Sequence, residues 1–397
     1  MLEKKVLKGI TWGHSRGITP LLAGAQRFNE LHPEVEIIWK KRTLQEFADF
    51  PIEKLVNEYD LLIIDHPWVG TAAAMACVLP LNDYIDPAYL QDQERNSTGY
   101  SCQSYHYAGK QWALAIDAVT PVASYRADLL EKNTIKVPDV WEEVLELAES
   151  GRVAVPGIPV DLLMNFYMFC LAVGEEPFRT PAEVVSPEKG MEALQVMKQL
   201  WSRCDKEVFN FNPIAVAEMM TATDKYFYCP FAYGYANYSR AGYAKHLLHY
   251  TDIVRFKQHG RLKSTLGGTG LAISASSVYK EDCVNFAVWI NSPPVQQGLY
   301  TEYGGQPGHR SAWTHPRLNH LSNHYFQNTL PALDRAYVRP RYHGYLHFQD
   351  LAGDPVRNYL MGKESEESAL AQINQIYQES LMIHRGIKTG SEHGSSE

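Results

Sequence analysis

Short apolar runs alternate with amphipathic helical segments from the first residues onward, and that alternation restricts the chain to an α/β architecture. Val6 to Ile10 reads as a short buried strand. Thr11 to Gly17 follows as a polar, glycine-punctuated loop, and a helix is expected from about Pro20, with Leu21, Leu22, Ala25, Phe28 and Leu31 on one stripe. His32-Pro33 ends that helix, and Val35 to Trp39 alternates as a second strand. The result is a β-loop-α-β unit, the building block of a mostly parallel sheet. The pattern recurs: a helix is expected over 46–59, a fully buried strand at Leu61 to Ile64 ending in Asp65-His66-Pro67-Trp68, and a small-residue helix from Gly70 to Cys77.

Further along, 107–125 reads as extended, 153–155 as a short strand, and the segments ending near 148 and spanning 160–174, 186–203, 279–291, 293–303 and 366–382 as helices. The stretch from Tyr226 to Tyr238 is rich in rings, Gly267-Gly268-Thr269-Gly270 precedes the apolar run Leu271 to Ile273, and the Gly/Ser/charged tail after Gly386 is expected to fray. At 397 residues the chain exceeds the roughly 250–300 that one core sustains, so two lobes are expected. A formal net charge of -8 provides no positive field for phosphates and argues against a nucleic-acid partner. The six cysteines, Cys77, Cys102, Cys170, Cys204, Cys229 and Cys283, lack zinc spacing and read as buried free thiols, with a Cys77–Cys102 bridge left open. No cofactor is implied. The first residues show no apolar leader region, so the chain is expected to be either a mature form without its leader or a cytoplasmic protein.

Four segments in register carry a family resemblance. They are AGAQRFNELHPEVEI (23–37), YDLLIIDHPWVGTAAAMACVLPLNDYI (59–85), YAGKQWALAIDAVTPVASYRADLLEKNTIKVPDVWEEVLELA (107–148) and LGGTGLAISASSVYKEDCVNFAVWINSPPVQQGLYTEYGGQPGHRSAW (266–313). In that order they resemble the family 1 extracellular solute-binding proteins of bacterial ABC importers, the maltose-binding and multiple-sugar-binding type. Ile116 stands where that family usually has a Pro before the hinge. The resemblance implies a periplasmic-binding-protein-like (type II) fold: two α/β lobes joined by a hinge, with a ligand cleft between them. Carried over, lobe one holds 1–115 and 265–312, and lobe two 116–264 and 313–397. It implies a monomer outside the cytoplasm that captures a small polar ligand, a carbohydrate or sugar acid, by hinge closure and delivers it to ABC transporter membrane subunits. A cytoplasmic sensor or carrier of the same fold is the alternative, and a glycoside-processing enzyme built on Asp65 and Asp117 a more distant one. No GxSxG, HExxH or dinucleotide fingerprint accompanies those carboxylates, and no catalytic residue is assigned.

In open α/β sheets ligands bind beyond the carboxyl ends of strands, so the two strand-end loops are the first candidates. On the first, Trp12, His14, Ser15 and Arg16 offer a ring and a guanidinium that can hydrogen-bond in pairs; the plainer reading is a solvated loop with a packed Trp. On the second, Asp65, His66 and Trp68 offer a carboxylate to direct sugar hydroxyls and a ring to stack on C–H faces, against a helix cap and a core Trp. Asp117 and Thr120 lie at the crossing between lobes that the resemblance implies. Tyr228, Phe231, Tyr233, Tyr235 and Asn237 form a loop rich in rings that either stack on a ligand or pack a core, with Tyr233 and Tyr235 the favoured contacts. Gly267, Gly268 and Thr269 permit close backbone approach, and Arg310 is a second candidate cation. His14, His66 and Asp65 lie on different loops, so no metal site is assigned.

Overall fold

The computed structural model describes residues 4–43, 52–257 and 260–386. Two sheets organise them. The larger has the order β2-β1-β3-β10-β6, from Val35–Arg42, Lys5–Trp12, Leu61–Ile64, Gly267–Ile273 and Leu114–Val119. Strand β1 pairs in parallel with β2 and β3, whereas β10 runs antiparallel between β3 and β6. A hairpin of β4 (His106–Tyr107) and β5 (Lys110–Gln111) precedes β6. The smaller sheet has the order β8-β7-β9, from Tyr228–Tyr233, Pro121–Tyr125 and His249–Thr251, all antiparallel. The expected short strand at 153–155 survives only as a bridge from Val153 to Tyr228.

Among the described residues, the helices of ten residues or more are α1 (Ser15–Leu31), α2 (Pro159–Ala172), α3 (Pro187–Trp201), α4 (Pro213–Ala222), α5 (Lys280–Ile290), α6 (Tyr325–Asp334), α7 (Tyr345–Leu360) and α8 (Glu366–His384). Helix α1 turns Leu21, Ala25 and Phe28 onto the large sheet, the spacing of an amphipathic stripe. Helix α2 is buried over nearly its whole length and packs against α3 and α7, forming with α8 the helical layer over the small sheet's side of the molecule. Of the expected helix over 46–59, residues 44–51 lie outside the described residues, and Ile52–Leu55 is helical.

Two local differences from expectation matter for the site. Helix α1 begins at Ser15 rather than near Pro20, because His14 caps it: the His14 Nδ1 accepts from the Arg16 N–H at 3.0 Å. The loop after β1 is therefore only Gly13 and His14, and Ser15, Arg16 and Gly17 form the first helical turn, with Pro20 inside the helix. Secondly, β6 belongs to the large sheet through Val119, so a lobe boundary after residue 115 falls inside this strand. The chain changes sheet at Thr120, whose hydroxyl donates to the Thr265 carbonyl at 2.9 Å, next to the return path into β10. All six cysteines are free thiols. No helix of the described residues is long and apolar enough to cross a membrane.

Candidate functional site

Groups just beyond the carboxyl end of β1 meet the loop that follows β8, and Asp65, just beyond the end of β3, meets Arg339. Arg16 is the centre of the first cluster. Its side chain is 3 % exposed. The Nε donates to Asp117 Oδ2 at 2.9 Å, and Nη2 donates to Asp117 Oδ1 in the same bidentate fork. The remaining Nη1 reaches over to the small-sheet side and donates to the Gly234 carbonyl at 3.1 Å. Burial, the largest influence, pulls the Arg16 pKa down, and the adjoining Asp117 carboxylate more than reverses it, leaving the guanidinium above its ordinary value. Its planar face lies 5.0 Å from the Tyr235 ring centre and 5.6 Å from that of Trp12.

Around this pair the rings interlock. Trp12 stacks on His14 at 5.6 Å and 12°, and Tyr235 meets His14 edge-on at 4.8 Å. Ser15 Oγ lies 2.6 Å from the Tyr243 hydroxyl and accepts from the Asn237 amide at 3.2 Å. Burial, with Arg16 adding, holds the His14 pKa down at about 4, so the imidazole is neutral at pH 7.

The second cluster is built on Asp65. The carboxylate caps the short helical turn that follows by accepting from the His66 N–H at 2.8 Å. Both of its oxygens also accept from Arg339 Nη2, each at 2.7 Å. Arg339 is 4 % exposed and is oriented by Gln349 Oε1 on α7 at 2.8 Å. Burial raises the Asp65 pKa, but Arg339 and the His66 imidazole, whose Nδ1 lies 3.3 Å from Oδ1, outweigh it, and the group stays well below the ordinary carboxylate range. His66, fully buried, is pushed to about 4 by burial and then by Arg339. Tyr233 links the clusters to the sheet crossing: its hydroxyl lies 2.9 Å from Thr265 Oγ1 and its ring covers Gly267.

A family model described as bacterial extracellular solute-binding protein matches residues 27–318. The chain belongs to that family. Solved structures of solute-binding proteins share its architecture along nearly the whole length. One is maltose-bound MalE3 of T. maritima, with 19% identity, a TM-score of 0.82, and coverage of 94% of this chain and 99% of that one. Another is an ABC transporter solute-binding protein from Agrobacterium radiobacter K84 in complex with ribitol, at 18% identity, a TM-score of 0.79, and coverage of 95% and 99%. The GacH receptor of Streptomyces glaucescens, solved unliganded and with acarbose, gives 19%, 0.76, and coverage of 97% and 100%. These likenesses establish the type II periplasmic-binding fold.

Within this solute-binding protein the remaining candidates separate. Trp68 lies in the apolar core with Ile10, Leu62, Val69 and Trp112, so packing accounts for it. Tyr228 and Phe231 are fully buried in one core cluster, where Phe231 packs against Trp141, Phe169 and Trp201. Arg310 is held by Asp334 at 2.5 and 2.7 Å, away from the two clusters. Gly267, Gly268 and Thr269 are strand residues paired with Val119, Ala118 and Asp117, not an open loop. Gly268 has φ +104°, and a Cβ there would come within 2.3 Å of the Asp117 carbonyl, so the glycine is what lets β10 lie against the Asp117 backbone. Asp117 and Thr120 sit where expected, at the sheet crossing.

Sequence reasoning passed over Arg339 and Gln349, which orient Asp65, and Gln306, whose Oε1 accepts from the Ala236 N–H at 2.7 Å beside the first cluster. The first arginine of Arg339-Pro340-Arg341 was the available signal for the pair, since a buried cation needs a buried anion. A pocket of about 400 Å³ bordered by Asn82, Leu90, Glu94, Cys102, Gln103 and Gln111 contains none of the candidate residues. The candidate site is defined by converging side chains, not by that open volume.

Proposed function

We propose that this protein is the extracytoplasmic substrate-binding component of an ABC importer and that its ligand is a neutral sugar or polyol held between two hinged lobes. Lobe one would comprise the large sheet and lobe two the small sheet with its helical layer, with the first crossing at Thr120 rather than at 115. The observation that carries the ligand class is the charge balance of the converging groups. Arg16 is neutralised by Asp117, Asp65 by Arg339, and His14 and His66 are uncharged at pH 7. An acidic ligand would have to strip a guanidinium from a buried carboxylate, which leaves that carboxylate unpaired at high cost. A hydroxyl-rich neutral ligand can instead hydrogen-bond to the outward lone pairs of Asp65, whose side chain is 23 % exposed, keeping both ion pairs. The ligands named for the structural relatives, maltose, ribitol and acarbose, agree with a hydroxylated class.

The test is a thermal-shift and calorimetric panel of neutral mono- and oligosaccharides, polyols and the matching sugar acids. A ligand at about 100 times its Kd adds about 2.7 kcal/mol of stability. Stabilisation by neutral members and none by the acids is the expected result. Preference for the acids overturns the charge argument, and a flat response across the panel overturns the carbohydrate reading.

A further inference from the structure

The Asp65–Arg339 pair is the first contact of a longer seam. The segment Arg339 to Leu346 runs from the sheet crossing, where Tyr337 donates to the Ser264 carbonyl and accepts from the Leu266 N–H at 2.7 Å each, into the first turn of α7. Two residues past Arg339, Arg341 Nη1 donates to the carbonyls of Gln103, Ser104 and His106 at 2.8, 3.2 and 2.7 Å. The first two lie at the C-terminal end of the short helix Ser101–Ser104, where backbone acceptors outnumber donors. The Arg341 carbonyl rests against Gly70, at the start of the short helix Val69–Met75, so closely that a Cβ on Gly70 would sit 1.6 Å from its oxygen. His343 Nδ1 lies 3.2 Å from Thr71 Oγ1. Leu346 packs against the apolar cluster that contains Ile10, Trp68, Val69 and Ala72.

The same segment is anchored in the helical layer. The Tyr342 hydroxyl lies 2.6 Å from Ser380 Oγ on α8, and the Tyr345 hydroxyl lies 3.3 Å from that of Tyr167 on α2. Gly344, at φ +104°, passes so near α8 that a Cβ would come within 2.4 Å of the Ser380 carbonyl. The segment therefore moves with the helical layer, whereas the groups it grips follow β3 or precede β6 in the large sheet.

We infer that Arg339 to Leu346 is a strap that holds the two lobes together before any ligand arrives, so that the ligand-free protein is predominantly closed. The inference rests on the hinged-lobe reading above. A cleft that closes only on its ligand relies on that ligand to bridge the lobes. Here the chain supplies the bridge itself: a cation on three carbonyls, a backbone-on-backbone contact at Gly70 and an apolar side chain seated on the opposite core. One charge-assisted hydrogen bond shifts an equilibrium by about tenfold or more, enough to reset a two-state balance whose minor form is about 0.1–10 % populated. The Arg341 Nη1 partners are neutral carbonyls, so replacing this residue, unlike Arg339, strands no buried carboxylate.

The experiment uses the full chain, freed of any carried-over ligand by unfolding and refolding, with its Arg341→Gln and R341Q/L346A variants. Small-angle scattering gives each radius of gyration, and a cooperative melt for each separates an opened molecule from an unfolded one. The wild type should have the radius of the closed structure, R341Q/L346A should be larger, and R341Q should fall between them. A wild type already larger than the closed structure, with both variants at the same size, means that the lobes hinge but the strap does not hold them. Variants as compact as the wild type also overturn the strap. Adding R16M/D117L to R341Q/L346A then removes the Gly234 contact without stranding either charge. Expansion of that protein leaves the hinge standing, and no expansion refutes the hinge together with the strap.

Discussion

Replacing Arg16 by Met removes the cation from the most deeply buried ion pair of the site and tests whether that pair is integral to the fold. The Met side chain has comparable length and no charge. It leaves the Asp117 carboxylate, 2 % exposed, without its bidentate partner, and it leaves the Gly234 carbonyl without its donor. Breaking a buried pair from one side costs about 3–5 kcal/mol, and the lost neutral acceptor adds about 1. Asp117→Leu should cost a similar amount by stranding the guanidinium. The double variant R16M/D117L strands neither charge, so it should lose only about 1 kcal/mol, or gain slightly if the apolar pair packs well. The coupling between the two sites is then several kcal/mol, far above what an exposed pair contributes. Urea unfolding at 0.1 and 0.5 M NaCl measures all four proteins, and the differences should hardly change with salt because the pair is out of solvent. Additive losses in the double variant, or a loss below about 1 kcal/mol for R16M alone, would show that water reaches the pair and would refute the buried-network argument.

Gly70→Ala should destabilise the fold by about 3 kcal/mol or more, since its Cβ would lie 1.6 Å from the Arg341 carbonyl, a backbone contact that cannot swing aside; urea unfolding checks it. Gly268→Ala should be costly for two reasons at once, the left-handed φ and the approach to the Asp117 carbonyl, and the same measurement should show it losing more than an Ala placed at exposed Gly109. His66 is neutral when folded, with its pKa lowered to about 4 from an ordinary 6.5, so the folded state binds fewer protons than the unfolded one. Stability on its account is full above about 6.5 and drains away as pH falls toward 4; His66→Gln should flatten that limb of the Tm–pH profile, and an unchanged acid limb in the variant would count against the assignment.

How much of this was legible in the sequence differs residue by residue. Trp12, His14, Arg16 and Asp65 could be found because a strand end is visible as the stop of an apolar run, and groups just beyond it are placed by the sheet. The sequence did not reveal that Ser15 to Gly17 were helical: Gly17 read as loop punctuation and Pro20 as a first-turn residue, and a histidine cap is not among the usual start signals. Rings presented the opposite difficulty. Tyr228, Phe231, Tyr233 and Tyr235 follow one another on β8 and its continuation, yet the first two lie inside the core under the helical layer, Tyr233 packs against that core with its hydroxyl at Thr265, and only Tyr235, beyond the strand end, meets His14. Helices α6 and α7 carry Pro331 and Pro355 in their interiors, which masks the helical period in exactly the region that delivers Arg339 to Asp65, 274 residues away.

That long-range pair bears on how the protein would recognise its ligand. Asp65 follows β3 in the large sheet, whereas Arg339 is fixed by Gln349 on α7, within the helical layer of the other side. A contact of this kind forms only when the two sides are close, so its strength favours closure whether or not a ligand is present. A ligand gains selectivity from closure only by contacts that the closed form makes and the open form lacks. If Asp65–Arg339 already closes the cleft unaided, the ligand must enter through a minor open state, and weakening the pair should speed association while also speeding release. Stopped-flow kinetics with a hit from the sugar panel, on the wild type and R339Q, separates this from a contact that merely supports the fold. Both rate constants should rise in the variant if the pair acts as a clasp. A slower association with faster release would instead mean that Arg339 holds Asp65 in the orientation the ligand needs.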